Sequence, residues 1–581
     1  MSSKGVKNII LEEEGEKMSQ KMSQKDGKKL CKDGLTRRDF LILEEEGEKM
    51  SQKDGKKLCK DGLTRRDFLK ASAGTIAGGL VYYHLGGGAL YAQSAKELAI
   101  NIPTDPIGLD PAHSWDASGL VVTNQLFDGL LRYNTDMEIL PNVAEKWDVV
   151  DNTTVVFYLN KDVNFHSGKK VTADDVVYSF NYVMRKENNS VKRGNFLAID
   201  KVEKEDKYTV KFTLKEPFSP FLDFLASAGR GIKIVDRDLR TKTAEKRSTI
   251  SPDPTGAGTG PFKFVKWLSS DQIVMEKHDG YHLEGLPKLD KVIWRIIGEA
   301  STAVANFAGR RLDILFKPSF SIYDAVIQNP DVIGKSKPSF ECEYIWFNNG
   351  KPPFNDVNLR KAVSYAINRQ EILDKVFRGH GILASGPLPP NSPYWNPETE
   401  GKTVYDPDEA VRYLKKAGKP NGFEFEMLTT AASWFPPQAE IVQEQLSKVG
   451  IKVKVTPMEK GAAFDRAFAG DYHCYLEDAV GRIPHPDNIL FRWYHPEGQM
   501  DKLLLHYANP RVTELLEAGR RTFDIQEQKK YYNEVQLIVQ QEQPSVQILW
   551  HDQAEAVWKW VKNYEPTPVA TPFLREVDIE K

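Results

Sequence analysis

Val155, Phe157 and Leu159 recur at every second position, the period of a half-buried strand. Asn164–Lys170 then carries the turn-formers His166, Ser167 and Gly168, and Thr172 can cap a new helix. Val176, Val177, Phe180 and Val183 follow at helical spacing, so residues 154–183 predict strand, turn and amphipathic helix. Similar patterning predicts strands at Glu97–Ile102, Lys207–Leu214, Phe262–Trp267, Gln272–Lys277 and Tyr344–Asn349. Helices are expected at Leu120–Phe127, Phe218–Ala228 and Thr302–Ala308. Leu359, Val363, Ala366, Ile367, Ile372 and Val376 make the apolar face of two more. After Asp408 helices and strands alternate, as in βαβ units, and long helices at Pro510–Arg521 and Ile525–Gln543 precede a strand at Ser545–Trp550. The class is α/β.

A chain of 581 residues with 40% hydrophobic content is too long for one core, which predicts two or three domains. Its net charge of −2 and the lack of a basic cluster in the body of the chain argue against nucleic-acid binding. Cys342 and Cys474 are the two cysteines that follow residue 92, and buried thiols are favoured over a bridge.

Residues 1–92 read as a segment to be removed. LEEEGEKMSQ at Leu11–Gln20 recurs at Leu43–Gln52, and KDGKKLCKDGLTRRDFL at Lys25–Leu41 recurs at Lys53–Leu69. A polar block that appears twice lacks the shared apolar face of a solenoid. In the second copy Thr64-Arg65-Arg66-Asp67-Phe68-Leu69-Lys70 matches the twin-arginine export pattern, with a Gly-rich apolar stretch at Ala71–Tyr91 and a cleavage site near Ala92. The first copy, Arg37-Arg38, runs into Glu44-Glu45-Glu46 and cannot insert, which makes Met50 the expected start. A membrane anchor at 71–91 is the weaker alternative, because Gly is plentiful and His84 interrupts it.

Chemistry was sought and not found: there is no G-x-S-x-G, H-E-x-x-H, C-x-x-C or Walker-type run. His473, Cys474, His485 and His495 crowd one region, but their spacing fits no standard ligand pattern, and loop polarity is preferred to a metal site. No cofactor is expected. The turn GAGTGP at Gly256–Pro261 could suggest a phosphate loop, yet no GK[ST] follows.

The wording of several stretches is more specific than their pattern. YLNKDVNFHSGKKVTADDVVYSF at 158–180, GTGPFKF at 258–264 and PPFNDVNLRKAVSYAINRQEILDKVF at 352–377 resemble the family 5 extracellular solute-binding proteins, the dipeptide-, oligopeptide- and nickel-binding subunits of ABC importers. The resemblance implies a two-lobed type II periplasmic binding fold with an extra domain and a hinge between lobes. Lobe one would take 93–310 with a subdomain inserted at about 132–250, lobe two 311–540, and residues 541–581 would return to lobe one. It implies a soluble periplasmic monomer that captures a small peptide-like or anionic solute by hinge closure and delivers it to an ABC permease after export by the Tat machinery. A metal-chelate ligand or a secreted hydrolase are the alternatives. Gly258 and Gly260 are the hinge candidates; Thr259 between them, His113, Trp115 and Asp116 in the loop after the first strand, and Trp346 and Trp434 as aromatic walls are ligand candidates.

Peptide-binding members of the family typically hold the peptide's ammonium on the Asp of an Asp-Tyr pair. Laid onto P-x-P-D-N of this chain, that pair falls on Arg482 and Ile483. An ammonium 4 Å from Arg482 would be repelled by about 4 kcal/mol even at an effective dielectric of 20. An anionic group taken by the guanidinium is therefore expected, with His485 and Asp487 in support; the alternative is that Arg482 forms a structural bridge to Asp478 or Asp487.

Overall fold

The computed structural model describes residues 96–239, 255–402 and 404–581. The duplicated segment with Arg65 and Arg66, and the anchor alternative at 71–91, lie outside the described residues. Among the described residues no helix is long and apolar enough to cross a membrane.

Strand β1 (Glu97–Ile102) leads through a loop to helix α1 (Ala117–Leu126), which starts three residues earlier than periodicity predicts because Asp116 caps it, accepting from the Gly119 amide at 2.7 Å. The predicted strand, turn and helix follow as β3 (Thr154–Leu159), after β2 (Ala144–Asp151), and α2 (Ala173–Met184). Asp175 reaches back to the Thr172 amide at 3.1 Å and so starts α2. With β4 (Ile199–Lys204) and β5 (Thr209–Leu214) these strands form an antiparallel sheet in the order β2-β3-β5-β4. Its core is aromatic: Phe180 and Phe212 meet edge to face at 4.8 Å, and Phe157, Phe196, Phe221 and Phe224 pack around them. Truncating any one of these rings would cost about 3–5 kcal/mol. Helix α3 (Phe221–Ala226) closes this subdomain.

Apart from two short two-stranded pairs, Leu131–Tyr133 with Ile139–Pro141 and Val561–Lys562 with Asp578–Ile579, the remaining strands join β1 in one long sheet. They are β6 (Phe262–Leu268), β7 (Gln272–Lys277), β8 (Lys291–Ile296), β9 (Ile314–Leu315), β10 (Val332–Phe347), β11 (Gly381–Leu383), β12 (Glu424–Thr430), β13 (Lys452–Met458), β14 (Cys474–Val480) and β15 (Ser545–Trp558). Their order is β13-β12-β14-β10-β15-β9-β1-β8-β7-β6, with β11 on β15. The sheet is two lobes joined by two strands. The chain passes from the first lobe into the second along β10 and returns along β15, which pairs with it antiparallel from Val332–Trp558 to Trp346–Ser545. The ladder breaks between Pro338 and Cys342, where the lobes meet.

Two expectations are corrected by this topology. Residues 311–331 belong with lobe one, because β9 pairs with β1 and β15, so the chain changes lobes in the middle of β10 rather than at 311, and in the middle of β15 rather than at 541. Gly258 and Gly260 do not lie on the crossing strands. They sit inside lobe one against the end of α1, where an added Cβ would come 2.1 Å from the Leu126 oxygen and 2.4 Å from the Gln125 oxygen respectively. Glycine is needed there for close backbone approach, not for bending.

The subdomain is closed onto lobe two. The Ser219 amide donates to the Arg520 oxygen at 2.8 Å, on helix α6 (Pro510–Arg521; α4, Phe435–Ser447, and α5, Leu490–Tyr494, precede it), and the Ser227 hydroxyl donates to the Arg482 oxygen at 3.0 Å. Phe340 and Ile483 from lobe two pack in the subdomain's own core. The strand register also separates the cysteines: Cys342 faces Ala479 and Cys474 faces Phe347, five residues along β14, or about 16 Å at the rise of a strand. Both are free and buried.

Candidate functional site

The β10 run Phe340-Glu341-Cys342-Glu343 and the β14 run Glu477-Asp478 bring four carboxylates to the place where the lobes meet, with Glu343 directly across from Asp478. Glu343 is fully buried and accepts from the Trp434 indole and the Gln438 amide, each at 2.9 Å. Burial, then the repulsion of Asp478, pushes Glu343 well above the usual carboxylate range. Asp478 is raised in the same way by burial, although Lys460 stands 3.8 Å away. Burial also opposes ionisation of Glu341, yet Lys317 at 3.2 Å and the nearby His551 hold it below the usual carboxylate range. Trp434, Phe435, Lys317, Glu341, Lys460 and Asp478 line a cavity of about 490 Å³. That volume suits a small organic ligand.

Beyond the acidic cavity the sign of charge reverses. Gly481 donates its amide to the Phe340 oxygen at 2.7 Å, which carries the strand pairing past the carboxylates to Arg482, four residues after Asp478. Its Nη1 donates to the Val569 oxygen at 3.0 Å. Opposite, the subdomain turn Ser227–Arg230 presents Arg230, while α5 contributes Arg492 from lobe two. The three arginines are half-buried. The Nε atoms of Arg230 and Arg492 are buried without a hydrogen-bond partner. Lys192, only 4% exposed, donates to the Gly229 oxygen at 2.5 Å. Burial, followed by Arg230, Lys233 and Arg482, brings its amine down to about 7. Burial and then Arg492 and Arg482 push Arg230 well below its ordinary value. Among the described residues no carboxylate lies within 4.0 Å of any of these four cations.

The geometry is that of a two-lobed sheet with paired crossing strands and a charged cavity at the junction. A model of the bacterial extracellular solute-binding proteins, family 5, matches residues 138–501. The chain belongs to that family. Di/tripeptide-binding protein 1 of Pseudomonas aeruginosa is 29% identical to this family 5 protein over 528 residues, covering 85% of this chain and 97% of the relative. Glutathione-binding protein GsiB of Pectobacterium atrosepticum is 31% identical over 373 residues, 63% of this chain and 70% of the relative. Among solved structures, the Helicobacter pylori periplasmic binding protein DppA in complex with the peptide STSA superposes with a TM-score of 0.75 at 26% identity, covering 84% of this chain and 98% of that one. Family 5 proteins are the solute-binding components of ABC importers, and the mixed α/β fold with two lobes is theirs.

The residues proposed from sequence separate into two groups in this family 5 chain. Trp434 and Arg482 stand at the junction described above. His485 and Asp487 lie behind it and do not support Arg482. Asp487 pairs with Arg520 at 2.7 Å, and buried His485, brought down to about 3 by burial and then by Arg520, accepts from the Asp487 amide at 3.2 Å and packs on Tyr394 and Tyr532. The alternative bridge is not formed either: Arg482 stays more than 4.0 Å from both Asp478 and Asp487. Trp346 is a core residue, stacked between Tyr344 at 3.9 Å and Trp493 at 3.5 Å. His113 contacts Asp110 at 3.0 Å and the Asn188 oxygen at 2.7 Å, Trp115 is exposed, and Asp116 serves as the cap of α1. Thr259 is buried and accepts from the Asp128 amide at 3.1 Å. His473, Cys474, His485 and His495 do not converge; among the described residues no group of three or more metal-type ligands does.

Lys192, Arg230, Arg492, Glu341 and Glu343 were not singled out from sequence, and Asp478 entered only as a bridge partner of Arg482. One signal was available: Glu341 and Glu343 share a face of an apolar strand, which is an expensive place for two carboxylates without a purpose.

Proposed function

We propose that this chain captures a small peptide-like solute carrying an anionic group and releases it to the membrane permease of an ABC importer, acting as a receptor rather than a catalyst. The observation that carries this reading is Arg482: a half-buried arginine without an ion pair, contributed by lobe two and hydrogen-bonded through its own carbonyl to Ser227 of the subdomain. A carboxylate held there bidentately touches both sides of the junction, and its differential affinity for the closed form drives closure. The adjoining cavity beside Trp434 offers Glu341, held below the usual carboxylate range, to the ligand's ammonium. The relatives named for dipeptides, tripeptides and glutathione fit a ligand of this size and chemistry. Export through the Arg65-Arg66 signal delivers the monomer to the periplasm, where the permease docks.

Titration calorimetry with Ala-Glu tests the assignment. The wild type binds it, and Arg482→Ala loses about 2 kcal/mol or more, roughly thirtyfold, while keeping its fold. Tight binding of Ala-Ala, unchanged in the variant, would show that the site reads a simple peptide without Arg482.

A further inference from the structure

Four cations meet at one place with no carboxylate within 4.0 Å of any of them. Lys192 and Arg230 come from the subdomain and Arg482 and Arg492 from lobe two, so like charges face each other across the line along which the lobes close. Two of the guanidiniums carry buried Nε atoms that bond to nothing. An unbalanced buried charge is among the most destabilising features a fold can contain, and here each one weakens the next. Asp116, the carboxylate that favours a charged Lys192, is already committed to capping α1. Glu341 and Asp478 favour the charge of Arg482 from beyond 4.0 Å, and no acid acts in this way on Arg230 or Arg492.

We infer that Lys192, Arg230, Arg482 and Arg492 form a charge-reading gate, which closes on a solute bearing at least two negative charges at one end, carboxylates or a phosphate. The inference rests on the receptor reading above and deepens it by counting the ligand's charges. A single carboxylate satisfies Arg482 and leaves Arg230 facing Arg492. A second charge between the lobes turns that repulsion into a bridge, so the ligand itself supplies the contact that holds the closed form. The neighbouring cavity, where Glu341 is held below the usual carboxylate range, takes the opposite end of the molecule, giving a ligand that is cationic at one end and doubly anionic at the other.

A charge ladder of Ala-Ala, with one carboxylate at its C-terminal end, Ala-Glu, with two, and alanyl-phosphoserine, with a carboxylate and a phosphate, tests this by calorimetry and small-angle scattering. The expected result is that affinity rises at least tenfold from the singly to the doubly charged probe, with compaction by the latter; the two strongest probes separate a carboxylate site from a phosphate site. In Arg230→Gln and in Arg492→Gln that gap shrinks to about threefold or less, while both variants melt at higher temperature than the wild type without ligand because repulsion is relieved. A structural role would do the reverse, lowering the melting temperature and leaving the ladder intact. If Ala-Ala binds through Arg482 and Ala-Glu gains nothing, the gate is refuted and the receptor reading stands. If no probe binds or compacts the wild type, both fall.

Discussion

Replacing Lys192 with Met should stabilise the ligand-free chain at neutral pH, although it deletes a hydrogen bond. The amine is 4% exposed and is brought from an ordinary 10.5 to about 7, first by burial and then by Arg230, Lys233 and Arg482. Between those two values the unfolded chain holds a proton that the native chain does not, so wild-type stability rises with pH across the window. The burden on the native state is about 4 kcal/mol at pH 7 and fades by about 1.4 kcal/mol for each pH unit above that. Against it stands the bond to the Gly229 oxygen, at 2.5 Å, whose loss leaves a buried carbonyl unpaired at about 1–3 kcal/mol. Lys192→Met should therefore be more stable by about 2 kcal/mol at pH 7, draw level near pH 9, and be less stable than the wild type by about pH 10. Urea unfolding of both proteins across that range measures the difference, in which every other titrating group cancels. A variant that is less stable at pH 7, by an amount that does not change with pH, would refute the reasoning that a repelled lysine sits in the cluster.

Two further outcomes are expected. Cys342 and Cys474, pushed well above the ordinary thiol range by burial and placed too far apart to bridge, should resist a thiol reagent at neutral pH and react together only on denaturation; a fast-reacting thiol in the folded chain would contradict the packing of β10 and β14. Substituting Arg65→Lys together with Arg66→Lys should abolish export, since the guanidinium pair is what the receptor of the Tat machinery is expected to read; cell fractionation that finds normal periplasmic yield would point to Arg37-Arg38 or to another route.

The sequence alone determined what is local. The period of two in Val155, Phe157 and Leu159, the turn at His166–Gly168 and the helical spacing from Val176 specify a strand, a turn and a helix because each depends on neighbours a few residues away. Helix Pro510–Arg521 was legible to the residue, with Asn509 as its cap and proline in its first turn. The wording of the same stretches carried the family. Arg482 could be picked out because a cation stood where the family's peptide binders typically place an acid. What the tertiary structure decided is which charges meet. Lys192, Arg230 and Arg492 sit in irregular or short segments whose patterning is silent, and only the docking of subdomain on lobe two sets them beside Arg482. The same holds in the opposite direction for Asp487, whose carboxylate is taken by Arg520 rather than by the arginine five residues before it. Gly258 and Gly260 read as a hinge in the sequence because glycine permits bending; the structure uses them for the approach of two backbones, a demand that depends on where α1 ends and that periodicity does not encode.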